Sequence, residues 1–222
     1  GLPDDFVAHG LLTSKAGDID VDILLKNDLK LNGFVIKGNV VSHNFDVGKV
    51  ISAKALGELD MKGSISALVT KRSGISLSID SVKIDKLGFN GYNYSNITAV
   101  GKYNNRYFDG RIVCHDPNLD FRFQGLFSFD TKKESRYNFF ADVPHANLAA
   151  LNIDNRDTIS VMGLRTIANF TTTSQKDIVG NINVTNATYR NSNGEHKLGP
   201  IKLTSHAGNR SYNILLTAPF ID

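Results

Sequence analysis

Apolar residues recur at every second position over most of this chain, and that spacing restricts the fold more than any motif in it. Ile19, Val21, Ile23 and Leu25 alternate with Asp18, Asp20 and Asp22, and Ile75, Leu77 and Ile79 with Ser76, Ser78 and Asp80. Leu119, Phe121 and Phe123 alternate with Asp120, Arg122 and Gln124, and Phe127 and Phe129 resume the same parity beyond Gly125. Ile182 and Val184 alternate with Asn183 and Thr185, and Ile201 and Leu203 with Lys202 and Thr204. A period of two sends neighbouring side chains to opposite faces of a strand. Each run therefore predicts a half-buried strand of an antiparallel sheet, one face dry and the other wet.

Turn signals separate the runs at Ala16-Gly17, Asn32-Gly33, Ser73-Gly74, Asn90-Gly91, Asp109-Gly110, Asn193-Gly194 and Leu198-Gly199-Pro200. Asn-Gly and Asp-Gly favour the positive φ angles of tight hairpins. The sequence thus predicts an all-β meander of about fourteen strands. Two stretches break the period. Residues 46–56 place Val47, Val50 and Ile51 at helical spacing, with Asp46 or Asn44 able to cap the start, and residues 146–151 place Leu148 and Leu151 three apart among alanines. Each predicts one or two turns of helix that plug an end of the sheet.

The chain also repeats itself. Asp120-Phe121-Arg122-Phe123-Gln124-Gly125-Leu126 answers Asp5-Phe6-Val7-Ala8-His9-Gly10-Leu11 at an offset of 115, and Asn209-Arg210-Ser211-Tyr212-Asn213 answers Asn105-Arg106-Tyr107-Phe108-Asp109 at 104. Val41-Ser42-His43 and Val143-Pro144-His145 stand between them, each before a helix-like segment. A fixed order of similar segments is the signature of a repeat architecture. The expected arrangement is one continuous β-repeat region over 1–222, with approximate repeats 5–119 and 120–222, the second incomplete. On that alignment the sequence reads as a piece of a longer array, and Gly1 as a remnant of a tag.

A hydrophobic content of 41% with 21% charged residues places the chain among folded proteins. A net charge of +3, with Lys and Arg scattered, gives no stripe for nucleic acid. Cys114 is the single cysteine, which excludes an internal disulfide framework. No apolar run is long enough to span a bilayer as a helix.

Candidate chemistry is sparse. Cys114-His115-Asp116 suggests a nucleophile and base, but adjacent residues on a strand face opposite ways. The histidines at 9, 43, 115, 145, 196 and 206 lack the i, i+2 or i, i+4 spacing that brings two imidazoles to one metal. His43 and His145, at matching repeat positions, read as structural. Asp18, Asp20 and Asp22 share one strand face without the loop spacing of a calcium site, so they read as a solvated face. No phosphate-cradling glycine loop or nucleophile elbow is present. Asn-Xaa-Ser/Thr triplets begin at Asn93, Asn96, Asn169, Asn183, Asn186 and Asn209, as chance allows in a chain rich in these residues. The residues predict no catalytic group, metal ligand or cofactor.

What remains is the dry face. Phe121, Phe123, Phe127 and Phe129 put four aromatics on one side of a single stretch, with Phe6 at the equivalent of Phe121, and no long amphipathic helix is available to cover them. Either the sheet closes on itself as a sandwich core, in the manner of a cell-surface or adhesin-like binding module, or it stays open as an apolar trough that holds acyl chains. The second expectation places Phe6, Ile75, Leu77, Ile79, Leu119, Phe121, Phe123, Phe127, Phe129, Ile182, Val184, Ile201 and Leu203 on the trough floor.

The stretch from Phe89-Asn90-Gly91-Tyr92-Asn93-Tyr94-Ser95-Asn96-Ile97 through Gly101-Lys102-Tyr103-Asn104-Asn105-Arg106-Tyr107-Phe108-Asp109-Gly110 to Asp116-Pro117-Asn118-Leu119 and Gly125 reads as a unit. It resembles the periplasmic repeat region of the AsmA-like superfamily, in particular its translocation and assembly module (TamB) family. Phe45-Asp46-Val47-Gly48-Lys49 and Leu216-Thr217-Ala218-Pro219-Phe220-Ile221-Asp222 are similar too. The resemblance is one of repeat texture along the chain, with no catalytic fingerprint. It implies a long sheet curled into a taco-like trough with a hydrophobic interior. It further implies a periplasmic protein anchored in the inner membrane, with the anchor outside this sequence, that meets an outer-membrane assembly-type barrel. Phospholipid acyl chains are its implied cargo, for transport to, or assembly of, the outer membrane, without enzymatic activity.

Overall fold

The computed structural model describes residues 5–28, 30, 32–70, 74–104, 106–128, 134–172, 177–207 and 212–219. The protein is all-β, and the described ladders within its units are antiparallel. The chain divides into two compact units, Gly1–Asn105 and Arg106–Asp222.

Unit 1 contains β1 (Asp5–Ser14), β2 (Gly17–Asp28), β3 (Gly33–Asp46), α1 (Val47–Ile51), β4 (Leu56–Thr70), β5 (Gly74–Phe89), β6 (Tyr92–Tyr94) and β7 (Ile97–Asn104). Its strand order is β1-β2-β3-β4-β5-β7, with β6 folded back on β5. Unit 2 contains β8 (Tyr107–Asp116), β9 (Leu119–Ser128), β10 (Ser135–Asn147), β11 (Val161–Thr172), β12 (Ile178–Asn191), β13 (Gly194–Leu198), β14 (Ile201–Ala207) and β15 (Tyr212–Thr217). Its order is β8-β9-β10-β11-β12-β14-β15, with β13 folded back on β12. Within each unit the described strands pack beside their ladder partners, and no second sheet lies over either face. A two-sheet sandwich is therefore not what either unit forms, because side-by-side backbone pairing takes every strand into one layer.

The units repeat one plan: three strands, a cap, two strands, a short return strand, and a further strand. The division falls at Asn105/Arg106, whereas the 115-residue offset sets a boundary at Leu119/Asp120. That offset matches the first strand of unit 1 with the second strand of unit 2. The plan instead aligns β1 with β8 and β2 with β9, so that Phe6, opposite Leu25, corresponds to Phe108, opposite Phe127.

The caps differ. Asp46 opens α1 by accepting a hydrogen bond from the Lys49 amide at 2.9 Å. Ser52, in the left-handed region at φ 57°, ends it after five residues, short of the expected 46–56. The 146–151 segment is no helix: Ala146 and Asn147 complete β10. Leu148–Leu151 form a turn in which the Leu151 amide donates to the Asn147 carbonyl at 3.0 Å and the Ala150 amide to Asn147 Oδ1 at 3.2 Å. Helical spacing over one turn cannot outlast a start already committed to a ladder.

Asn32 (φ 48°) and Asn90–Gly91 (φ 51° and 78°) make the expected hairpin turns. Asp109-Gly110 does not; it lies inside β8, where Gly110 faces Gly125 across the ladder. Arg106, just before β8, has φ 66°. Gly125 has φ 132°, and a Cβ there would run into the Asn138 carbonyl oxygen and stand 2.7 Å from Phe139 Cα. Gly10 has open space around its missing Cβ. Gly125→Ala is expected to lower stability by about 1–3 kcal/mol, while Gly10→Ala leaves it unchanged or raises it by up to ~1 kcal/mol. Urea midpoints of the two variants check this.

Candidate functional site

In an antiparallel ladder, residues directly opposite each other share a face. The registers therefore sort every strand of a unit onto two faces. In unit 1 one row across the strands is Phe6, Leu25, Ile36, Ala67, Leu77 and Tyr103. The next rows are Ala8, Ile23, Gly38, Ile65, Ile79 and Gly101, then Gly10, Val21, Val40, Gly63, Val82 and Ala99. A fourth is Leu12, Ile19, Ser42, Met61, Ile84 and Ile97. None of these rows carries a charge. Ile75 lies on the same face beyond the first row, opposite Val69, which pairs on its other side with Phe34. The reverse face holds His9, Asp20, Asp22, Lys37, Lys62, Lys83 and Lys102.

Unit 2 repeats the segregation with larger side chains. Gly110, Gly125, Phe139, Ala168, Ile182 and Leu203 form one row, and Ile112, Phe123, Ala141, Thr166, Val184 and Ile201 another. Phe121 pairs with Cys114 on the same face, and Leu119 with Asp116 and Ala146 near the strand ends. The proposed floor residues of each unit thus share a face: Phe6, Ile75, Leu77 and Ile79 in unit 1, and Leu119, Phe121, Phe123, Phe127, Ile182, Val184, Ile201 and Leu203 in unit 2. Phe129 lies outside the described residues.

Phe123 is the hub of the unit 2 face. Its ring centroid lies 5.4 Å from Phe139, 6.3 Å from Phe108 and 6.4 Å from both Phe121 and Phe127. Phe127 continues to Tyr137 at 5.3 Å, and Tyr137 stacks on Phe170 at 4.5 Å. Phe123 and Phe127 are four residues apart, which spans about 13 Å of extended strand. Their rings, 6.4 Å apart, therefore lean towards each other along the strand across Gly125, which carries no side chain to hold them apart. Aromatic pairs of this kind add roughly 0.5–1.5 kcal/mol each beyond their burial. Phe123 is consequently only 8% exposed, while Phe6 and Ile75 are 53% and 55% exposed. Phe123 is thus packed within the apolar face of unit 2, while Phe6 and Ile75 lie on the accessible surface of unit 1.

Residues beyond those expected from the sequence share these apolar faces, notably Leu25 and Ile36 in unit 1 and Phe108, Tyr137, Phe139 and Phe170 in unit 2. Tyr137, Phe139, Ala141 and Val143 do alternate with Arg136, Asn138, Phe140 and Asp142, but Phe140 interrupts the polarity. It sits on the reverse face, where the Arg165 guanidinium carbon lies 5.9 Å from its ring centre. There Asp142 accepts from Arg165 Nε and Nη2, each at 3.3 Å, and from Arg122 Nη1 at 3.4 Å. These charges lie on the reverse face, opposite the apolar rows, with Asp142 itself buried between the two arginines.

The remaining chemistry is dispersed. Cys114 is 2% exposed on the apolar face, and burial pushes its thiol up. His115 faces the other way, its Nδ1 3.0 Å from Asp120 Oδ1. His9 Nδ1 lies 2.7 Å from Asp22 Oδ1 across the β1–β2 ladder, and Asp18 faces His43. His43 and His145 both stand at register shifts near the end of the third strand of their units. Among the described residues no group of three or more His, Cys, Asp or Glu is placed to hold a metal ion, and no helix is long and apolar enough to cross a membrane.

In the 148–160 cap, Asp157 accepts from the Ser192 amide at 3.0 Å and the Ile159 amide at 3.2 Å, and also bonds the Ser192 hydroxyl. Hydrogen bonds from Ser192, then from Ile159, bring its carboxyl down to about 2. Because folding lowers this pKa, the contact supports the cap above the ordinary value of 3.8 and is lost as pH falls through about 2. The Ser192 amide signal in NMR is expected to titrate near 2; a midpoint at the ordinary value would contradict the contact. On the floor, Phe123→Ala is expected to cost about 3–5 kcal/mol of stability, and Arg122→Ala, on the exposed face, less than about 1 kcal/mol. Chemical denaturation of both variants checks this.

No protein-family model matches the chain, and neither a curated protein nor a solved structure matches it.

Proposed function

We propose that the apolar faces carry lipid: phospholipid acyl chains lie on them, shielded from water, as they move along an envelope-spanning protein. The carrying observation is the unbroken run of uncharged rows across unit 1, from Phe6–Tyr103 to Leu12–Ile97. A single-layer sheet with such a face leaves apolar surface uncovered, and acyl chains match it in chemistry. Each methylene taken from water contributes about 0.8 kcal/mol, so a chain is held without a dedicated headgroup pocket. A conduit needs this weak, distributed binding, because tight binding at one point would stop movement.

In this reading the chain is a non-enzymatic, periplasmic segment of a protein anchored in the inner membrane. It works with an outer-membrane assembly-type barrel, in phospholipid transport to, or assembly of, the outer membrane. The resemblance of Phe89–Gly125 to the AsmA-like repeat texture supports that setting. The repeated strand plan supports it too, since a repeat array lengthens without redesign to bridge a gap.

The test is site-specific photo-crosslinking with phospholipid vesicles. A benzoylphenylalanine at Leu77 or Leu203, on the apolar face, is expected to capture phospholipid, whereas one at Ser78 or Lys202, on the reverse face, is not. Equal capture on both faces, or none at any position, overturns the proposal.

A further inference from the structure

The reverse face of unit 2 meets water, yet one of its rows is built largely from amides instead of charges. Leu126, Asn138, Asn169, Asn181 and Thr204 stand opposite one another in that order across β9, β10, β11, β12 and β14. The neighbouring row on this face, about 7 Å away along the strands, holds Arg136 opposite Thr171. The three asparagines and Arg136 are exposed, and Leu126 and Thr171 are half-buried. Each of β9, β10, β11 and β12 has a ladder partner on both sides, so this surface belongs to the middle of a sheet and owes nothing to an edge.

A cleft of about 490 Å³ lies where these strands end, lined by Tyr107, Leu126, Glu134, Ser135, Arg136 and Thr171. The registers put Tyr107, Leu126, Arg136 and Thr171 on the reverse face, beside the amide row. Tyr107 starts from β8, but its hydroxyl accepts from the Arg136 amide of β10 at 3.3 Å, so its ring lies across the intervening β9. That hydroxyl keeps its own proton to donate. Thr171 Oγ1 donates to the Val179 carbonyl at 3.5 Å and keeps lone pairs to accept. Glu134 and Arg136 bring opposite charges to the cleft.

We propose that this cleft and the amide row bind an uncharged linear oligosaccharide. One sugar ring lies on Tyr107, and the chain runs across the strands between Arg136 and Thr171 on one side and Asn138 and Asn169 on the other. The chemistry selects a sugar. A side-chain amide both donates and accepts, as a sugar hydroxyl does. An aromatic face suits the C–H face of a pyranose. The ladder repeats the asparagines about every 4.8 Å, a step close to one ring of a glycan. A peptide joins a sheet through unpaired backbone groups, and here both sides of each strand are already paired. A nucleic acid needs a basic stripe, which this row does not have. The cleft is of a size that small ligands occupy, and it lies on the face opposite the acyl chains.

The experiment titrates the isotope-labelled full chain with cellotetraose, maltotetraose and N-acetylated chitotetraose, to about 10 mM, and follows the backbone amide signals by NMR. At least one of these sugars is expected to shift the amides of Tyr107, Arg136, Asn138 and Asn169 and to leave those of Leu77 and Ile79 in place. Tyr107→Ala and Asn169→Ala are each expected to weaken that sugar at least about tenfold, while Lys37→Ala, on the reverse face of unit 1, leaves its affinity unchanged. Tetragalacturonate, charged on every ring, is expected to bind at least about tenfold more weakly than the neutral sugar. The shift map of the unaltered chain locates the ligand by itself, so the test stands even where a variant fails to fold. No shift at these amides with any of the neutral sugars, wild-type affinity in both folded variants, or equal binding of tetragalacturonate overturns the proposal.

Discussion

Everything in this protein depends on the lateral backbone ladder. Each strand gives its amides and carbonyls to the strands beside it, and no described strand is buried beneath another layer. The ladder fixes register, register fixes which side chains stand opposite one another, and alternation sends them to one of two faces. A one-residue slip of β2 against β3 would set the Asp18–Asp22 carboxylates on the face of Val40, Gly63 and Val82. The apolar rows are thus both a product of the register and the reason it is unique.

The two units use the same plan with different side chains. The middle rows of unit 1 hold Gly10, Gly38, Gly63 and Gly101, so its face is low and aliphatic across the centre, with bulk towards the strand ends. In unit 2 the rings around Phe123 meet across Gly125 and turn that part of the face into a packed surface. Across the reverse face Asp142, held between two arginines, does for unit 2 what the scattered aspartates and lysines do for unit 1. A repeat can therefore keep its ladder while changing how deep its dry face is.

Much of this was legible in the sequence, because period two is a local signal. The strands, the parity of Phe121, Phe123 and Phe127, and the hairpins at Asn32-Gly33 and Asn90-Gly91 follow from residues within a few positions of one another. What was not legible depends on pairing. Asp109-Gly110 has turn chemistry, yet Gly110 serves a ladder because it faces Gly125. Leu148 and Leu151 have helical spacing, but β10 runs on through Asn147 and leaves room for a single turn. Phe140 sits on the wet face among arginines, which only the β10–β11 register reveals. The repeat was visible as matched segments, but its phase was not, since the offset joining Phe6 to Phe121 pairs a first strand with a second.

The sequential order of the strands has a consequence for how the chain reaches this state. All-β proteins are slow folders when their ladders join distant segments, because the loop entropy is lost before any contact repays it. Here each described ladder within a unit joins segments adjacent in the chain or separated by one short hairpin. The longest such connection between paired strands is the cap between Asn147 and Val161. Each hairpin is then a template for the next, so that the sheet zips outward from whichever turn closes first.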